Sequence, residues 1–496
     1  MRKEDRTTRD KTQVLSKSRF VAGWQCPALL WRKVHEPDAP ELVPDKVLQD
    51  RFDQGAHVGE VARTRFPDGL LIDFPYFDLQ GRVAATEAAM SEGAPAIFEA
   101  SFIADDVFVA VDVLERTADG FNLVEIKSAT SQKDEHIPDA AIQVHVLQKC
   151  GIDVARADIM HLNKEHRCPD VSDLFQRTDV TDPVKGLLPL VPEEVKKQLE
   201  VISGPEPDIK LGLQCFEPYR CPFLNRCWPE VPNHISTLAG VGPKGAWKYI
   251  LEGIETIDAI PKDRKLPPKA RRQIRALEEG RMIVEPGLAD ALEPFSARLG
   301  YLDFETVGRA IPVWPGLGPW HQGTAQFSYH EETEDGELRH IGWLAEGPDD
   351  PRPELARVLV EATAGAERIV MYSPFERRCI RDLQKAVPEL EESLLELEEK
   401  LIDLLPVIRN NVYHPDFQGS FSIKYVLNPL VPELSYNDLV IVDGMEASVE
   451  IARLLFVAHK IPPDERDRLR HDLLEYCKRD TEAMVMLLKR LRELAC

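Results

Sequence analysis

The sequence predicts an α/β chain of more than one domain, and three observations carry that expectation. Its 496 residues exceed what one typical domain holds. Hydrophobic residues make up 43% and charged residues 29%, the balance of a globular chain with a sizeable core. Short apolar strand-like runs alternate with helical periodicity in the first half, and strands give way to helices in the second.

Residues 14–231 read as one mixed segment. FIADDVFVAVDVLERTADGFNLVEIKSAT predicts three strands with turns at Asp105–Asp106 and Ala118–Gly120. DAAIQVHVLQKCGI predicts a helix ending near Gly151, and ARADIMHLN a further strand. Residues 232–290 change character, to short helices separated by Gly and Pro. Residues 298–496 open on the strand RLGYLDFET, continue with the strands QFSYH and RIVMYS, and become helical from Ile451. PELEESLLELEEK reads as a solvated helix face.

Composition narrows the function classes. No apolar run of about eighteen residues occurs, so no membrane association is expected. The start, MRKEDRTTRDKTQVLSKSRF, is polar and basic and lacks the apolar core of a secretory signal, which predicts a cytoplasmic address. The net charge of −23 argues against non-specific coating of nucleic acid. It leaves room for an enzyme that gathers carboxylates for cations and keeps local basic patches for phosphates. Those patches are the N-terminal segment and Lys244–Arg281, where ten Lys/Arg meet six Asp/Glu. The nine cysteines are an odd number, and a reducing compartment without a disulfide framework is expected.

The first candidate site is Asp112 on one strand and Glu125-x-Lys127 on its hairpin partner. Residues two apart on a strand share a face, so Glu125 and Lys127 sit side by side and Asp112 can come alongside. Two carboxylates can hold Mg²⁺ or Mn²⁺ with open water positions, and a lysine can orient a water or offset phosphate charge. The plain alternative is a surface ion pair across a hairpin.

VAVDVL with Asp112, LVEIKSAT with Glu125 and Lys127, and AIQVHVL with Gln143 together resemble the RecB-like branch of the PD-(D/E)xK nucleases. The likeness is strongest to the iron–sulfur exonucleases associated with CRISPR adaptation. The resemblance implies a restriction-endonuclease-like fold for residues 14–231. It implies catalytic roles for Asp112, Glu125, Lys127 and Gln143, and a metal-ligand role for His57, which lies in FDQGAHVGEVA. The Tyr that usually follows the Gln motif is absent, with His145 and Leu147 nearby. In the resembling enzymes one cysteine before the core and three after it hold a 4Fe–4S cluster. The matching residues are Cys26, Cys215, Cys221 and Cys227. Four thiolates suit that cluster or, as an alternative, structural Zn²⁺.

The second acidic set begins with Asp303 and Glu305 in YLDFET, two apart on one strand face. EYCKRDTEAMVML puts Tyr476 and Asp480 four apart on one helix face, and Glu376 lies between in VMYSPFERRCIRDL. The combination resembles the DnaQ-like (DEDD) exonucleases of the RNase H-like fold, in the branch that carries a Tyr. The resemblance implies metal ligation by Asp303, Glu305, Glu376 and Asp480 and orientation of a water by Tyr476. The usual middle Asp is replaced by Glu376, and Asp403 in LIDLLPVIRN is a further candidate. The stretch YHPDFQGSFSIKYVLNPLVPELSYNDLVIVDGMEA resembles a bacterial family that fuses a RecB-like nuclease to this DnaQ-like domain. His414, Ser420 and Lys424 could line a substrate channel there.

HISTLAGVGPKGAWKYILEGIETIDAIP resembles a helix-hairpin-helix, with Lys244, Lys248, Arg271, Arg272 and Arg275 as phosphate-facing charges. The expected whole is a metal-dependent nuclease acting on DNA or RNA with two acidic metal sites. Two alternatives stand beside it: a nucleic-acid-binding scaffold with one decayed nuclease domain, and a hydrolase of mononucleotides.

Overall fold

The structure, a computed structural model, describes residues 14–228, 230–333 and 337–496. The basic stretch before residue 14 lies outside them. The chain is mixed α/β and divides into two compact units. One runs to residue 229 and takes in 310–312 and 318–320; the other holds the remainder from Glu230. Among the described residues no helix is long and apolar enough to cross a membrane.

The first unit is built on one sheet. Its strands are β1 (Leu15–Ser16), β2 (Leu70–Leu71), β3 (Ala96–Ala104), β4 (Val107–Thr117), β5 (Gly120–Lys127), β6 (Val154–Leu162) and β7 (Phe175–Asp179). The order is β2-β3-β4-β5-β6-β7, with β1 pairing with β4. The β3–β4 hairpin turns on Asp105 and Asp106, with φ of 52° and 60°, a left-handed pair that Asp tolerates through its short polar side chain. Parallel pairing of β5 with β6 needs a crossover, and the helix His136–Lys149 supplies it.

Strand alternation sets the two faces. Leu123 joins the core under the His136–Lys149 helix, with Ala140, Ile142, Val144 and Leu147. Val124 joins Val113, Met160 and Ala62 on the other face, under the helix Lys46–Arg63. Glu125 and Lys127 share the parity of Leu123, so they face the crossover helix.

The second unit contains β8 (Ile283–Val284), β9 (Leu299–Gly308), β10 (Gln322–Glu332), β11 (Leu338–Leu344), β12 (Arg368–Met371), β13 (Leu401–Asp403) and β14 (Val412–Tyr413). The main sheet has the order β11-β10-β9-β12-β13, and β8 pairs with β14. β9 and β10 are antiparallel, whereas β9, β12 and β13 run parallel, so chain order reverses across β9. Leu302 and Phe304 pack towards the helices Arg352–Thr363 and Phe375–Ala386. Tyr301 and Val307 pack on the opposite face with the long helix Pro463–Ala495. Asp303 and Glu305 have the parity of Tyr301 and Val307 and therefore point towards that helix.

Pro at its first turn with Asp464 and Glu465 opens the long helix well. Its buried residues, Leu473, Tyr476, Cys477, Asp480, Met484, Leu487, Leu488 and Leu491, follow the i, i+3, i+4, i+7 stripe of an amphipathic helix. Two polar members of that stripe, Tyr476 and Asp480, lie where β9 brings its carboxylates.

Residues from Ile235 to Ala270 have a small apolar core of their own, including Leu238, Ala246, Ile254 and Ile257. They also belong to the second unit. Gly419 has φ 78°, and a Cβ there would collide with the Thr237 carbonyl. The expectation for Arg272 needs correcting. Arg272 is buried and donates to Glu285 at 2.9 Å and to the Arg409 carbonyl at 2.8 Å, and Arg275 donates to Glu285 at 2.9 Å. The buried Arg272 guanidinium holds the unit together and does not form a phosphate-facing surface, whereas Arg275 stays exposed beside its ion pair with Glu285. Lys244, Lys248 and Arg271 are exposed.

Candidate metal centres

In the first unit the pairing of β4 changes partner midway. Its start pairs with β1, through Leu15 and Val107, and its later residues pair with β5 as far as Val113 and Val124. Beyond that point the Asp112 carboxylate accepts from the Ile126 N–H at 2.8 Å in place of a ladder bond. Lys17, the residue after β1, reaches into the opening. Its Nζ donates to Glu125 Oε1 at 2.9 Å and Oε2 at 3.2 Å, and stands 3.7 Å from Asp112 and 4.0 Å from Asp139. Lys127 donates to Glu125 Oε1 at 2.8 Å and to Asp139 at 2.5 Å. Gln143 donates to Glu125 Oε2 at 2.8 Å.

Three carboxylates thus share two ammonium groups. Burial works against the charge of Glu125, and Lys127 and Lys17 outweigh it, holding the carboxyl well below its usual range. Burial and the charge of Glu125 push Asp112 up to about 7 and raise Asp139. Burial likewise opposes charge on Lys17, and Asp112, Asp139 and Glu125 more than offset it.

Asp112, Glu125, Lys127 and Gln143 therefore come together as expected, but His57 does not join them. The helix that carries His57 packs Ala62 on the opposite face of the sheet. The His57 side chain is 62% exposed, with Glu60 3.6 Å away. Lys17 and Asp139 complete the cluster instead. Asp139 was legible in principle, since it stands four residues before Gln143 on one helix face. Lys17 carried no spacing signal.

Cys26, Cys215, Cys221 and Cys227 line one cavity of about 390 Å³. Burial raises Cys215 and pushes Cys221 up to about 11, with the neighbouring thiols adding to both. Arg32 donates to Cys227 Sγ at 3.3 Å. Buried thiols crowded beside cationic side chains gain by ionising onto a metal. The cavity thus gathers four thiols, with the Arg32 guanidinium on one of them.

In the second unit, ligand oxygens of Asp303, Glu305 and Asp480 lie within 4.8 Å of one another, an arrangement able to hold a metal ion. Glu376 is buried and hydrogen-bonded to the Asp303 side chain, and its Oε2 has no partner. Asp403 caps the Leu405 N–H at 2.9 Å, and its charge acts on Glu376. Tyr476 hydrogen-bonds Asp480 and accepts from Lys424 at 3.2 Å. Tyr436 donates to Asp480 at 2.5 Å, and Cys477 to Asp303 at 3.3 Å. A Cβ on Gly444 would lie 3.6 Å from Glu305, so the helix Gly444–Phe456 starts directly against this carboxylate. Tyr436, Cys477 and Gly444 have no motif that marks them in the sequence.

Four carboxylates here are opposed by the charge of Lys424 and, at Asp480, of Arg479. Burial, then Asp480 and its neighbours, raises Asp303 and Glu305 well above the carboxyl range. Burial pushes Glu376 up to about 8, and it pushes Asp480 to about 6 against the Tyr436 hydrogen bond and the charge of Lys424. The consequence for stability has a definite sign. In the unfolded chain these groups ionise near pH 4, whereas in the fold they retain protons to about pH 6 for Asp480 and about pH 8 for Glu376. Between those limits the folded state binds more protons, so metal-free stability falls as pH rises. A divalent cation replaces those protons. The rise in melting temperature on adding Mg²⁺ should be small at pH 5, grow towards pH 8, and vanish in Asp303→Asn. Thermal unfolding at both pH values with and without Mg²⁺ checks this, and a pH-independent increment contradicts it.

A family model described as a domain of unknown function (DUF2779) covers residues 300–422, a stretch that holds Asp303, Glu305 and Glu376 but ends before Tyr476 and Asp480. No curated protein matches the chain.

Proposed function

We propose that the protein is a metal-dependent nuclease that hydrolyses phosphodiester bonds in DNA or RNA. The observation that carries this reading is the convergence of Asp303, Glu305 and Asp480, from a strand and a helix far apart in sequence, on one metal-sized space. Glu376 and Tyr476 beside them support a DnaQ-like, RNase H-like assignment for the second unit. Bound there, divalent cations would supply Lewis acidity and a nucleophilic water at neutral pH. The chain's own groups do the rest. The carboxylates fix the cation position, Tyr436 and Cys477 orient Asp480 and Asp303, and Tyr476 and Lys424 offer hydrogen-bond donors at the rim.

For the first unit, the Asp112–Glu125–Lys127–Gln143 set supports a RecB-like PD-(D/E)xK reading. The ammonium of Lys17 lies against all three carboxylates of that cluster. This favours a second reading for that unit alone, a salt-bridged binding module without turnover. End-labelled DNA and RNA incubated with wild type, Glu125→Ala, Asp303→Ala and the double variant test both. No cleavage by the wild type of any polymer ends the nuclease reading. Loss confined to Asp303→Ala assigns all turnover to the second unit.

The four cysteines are proposed to hold a 4Fe–4S cluster, with Zn²⁺ as the alternative. Protein purified without oxygen should be brown with about four irons per chain, and Cys221→Ser should lose both. Colourless protein with stoichiometric zinc refutes the cluster.

A further inference from the structure

The second unit holds an open cavity of about 560 Å³, lined among others by His414, Asp416, Gln418, Lys424, Tyr425 and Asn428. That size falls within the range of small-ligand sites. Ser420, expected with His414 and Lys424, is not in its wall.

Lys424 joins the cavity to the carboxylates. It stands in the cavity wall, and its Nζ donates to Tyr476 at 3.2 Å and to the Val442 carbonyl. The ammonium stands 5.1 Å from the centre of the Tyr476 ring and 5.6 Å from that of Tyr436. Its charge also acts on both Glu305 and Asp480.

The helix Ile423–Leu430 explains why the neighbouring residue is outside. Val426, Leu427 and Leu430 are its buried stripe, which turns Tyr425 and Asn428 outward. The Tyr425 side of this helix carries an aromatic residue that is 49% exposed, where a polar residue would serve folding as well. The segment that Lys424 touches on its other side is similar. Val440, Val442 and Met445 are 67%, 47% and 60% exposed. The cavity, whose wall also holds Asp416, thus carries one cation and one exposed ring, and an apolar stretch lies on the segment that Lys424 touches. Phosphate pairs with the first, and base faces with the other two.

We propose that this cavity seats the terminal nucleotides of a single-stranded nucleic acid, with a base stacked on Tyr425 and the backbone phosphate against Lys424. This rests on the nuclease reading of the same carboxylates. The bases must be free of a partner strand, because only an unpaired base can leave its own stack for a protein ring. Recognition through ring and aliphatic faces is indifferent to sequence, since every base has such a face.

The test uses the whole chain with Ca²⁺ in place of Mg²⁺, and dT12 carrying a fluorophore at either end in separate probes. Tyr425→Ala should weaken binding about 10-fold or more, and Tyr425→Phe should restore it to within about two-fold. The probe with 5-iododeoxyuridine at its terminus should crosslink to the peptide containing Tyr425. Equal affinity of wild type and Tyr425→Ala, equal loss in Tyr425→Phe, or no crosslink on that peptide overturns the proposal. Cleavage in Mg²⁺ is scored apart. Asp303-dependent cutting that ignores Tyr425→Ala refutes the cavity alone. Strand binding through Tyr425 without any cutting refutes the nuclease reading alone.

Discussion

Asp303→Asn should melt at a higher temperature than the wild-type chain in the absence of divalent ions, while losing activity at the second centre. Three buried carboxyls and the half-buried Asp303 crowd that centre against the charges of Lys424 and Arg479, so at neutral pH the fold either holds extra protons or bears repulsion. An isosteric amide removes one of those charges and keeps the shape, and Cys477 can still donate to its oxygen. Relief of about 1–2 kcal/mol is expected, from the general cost of uncompensated buried charge. The same change deletes a ligand of the proposed cation. Mg²⁺ should then give no thermal shift, and second-unit cleavage should fall by about 10²–10³-fold, as when a main electrostatic stabiliser is removed. Scanning calorimetry with EDTA and with Mg²⁺, alongside an end-label assay, reads all three. A lower metal-free melting temperature would mean that Asp303 is a structural acceptor and not a poised ligand.

Glu125→Ala should have the opposite sign. In the first unit the carboxylates are balanced by Lys17 and Lys127, and Glu125 is the acceptor both share. Its removal leaves two partly buried ammoniums with only Asp112 and Asp139, and strips Gln143 of its acceptor. Breaking a buried pair by deleting one partner costs about 3–5 kcal/mol. The remaining carboxylates put the expected loss at about 3 kcal/mol, with the unfolding transition of the first unit shifted down. Glu125→Gln, which keeps an oxygen for Lys17 and Lys127, should recover part of that loss. If Glu125→Ala left the melting temperature unchanged, the ammonium cluster would not be a structural element at all.

What could be read from the sequence follows which signals are local. Strand parity predicted that Glu125 and Lys127 lie side by side and that Asp303 and Glu305 share a face, and helix periodicity put Tyr476 with Asp480. These patterns depend only on backbone geometry. His57 was misplaced because the side of the sheet that a helix covers is set by tertiary packing, here Ala62 against Val124. Lys17 escaped notice because its role comes from a two-residue strand pairing with the middle of the sheet. Arg272 looked like a phosphate contact because charge along a helix does not reveal that one face is buried against Glu285 and the 409–410 carbonyls. Tyr436 reaches Asp480 across 44 positions, a distance no local pattern spans.

The bonds that tie the beginning of the first unit to its end bear on synthesis. Arg32 donates to Cys227, 195 residues later, and Trp31 donates to the Gly204 carbonyl 173 residues later. Gln25 donates to the Gln214 and Tyr219 carbonyls. A chain emerging from the ribosome at about 5–20 residues per second leaves its first helices without these partners for roughly ten seconds or more. Through that interval the helix Lys17–Gln25 can pack on the helix Pro27–His35 and, once it has emerged, on the crossover helix His136–Lys149. The Lys17–Glu125 bridge can form as soon as β5 has emerged, well before the cysteine cavity closes. Translation therefore makes the partners of the lysine–carboxylate cluster available before those of the thiol cavity.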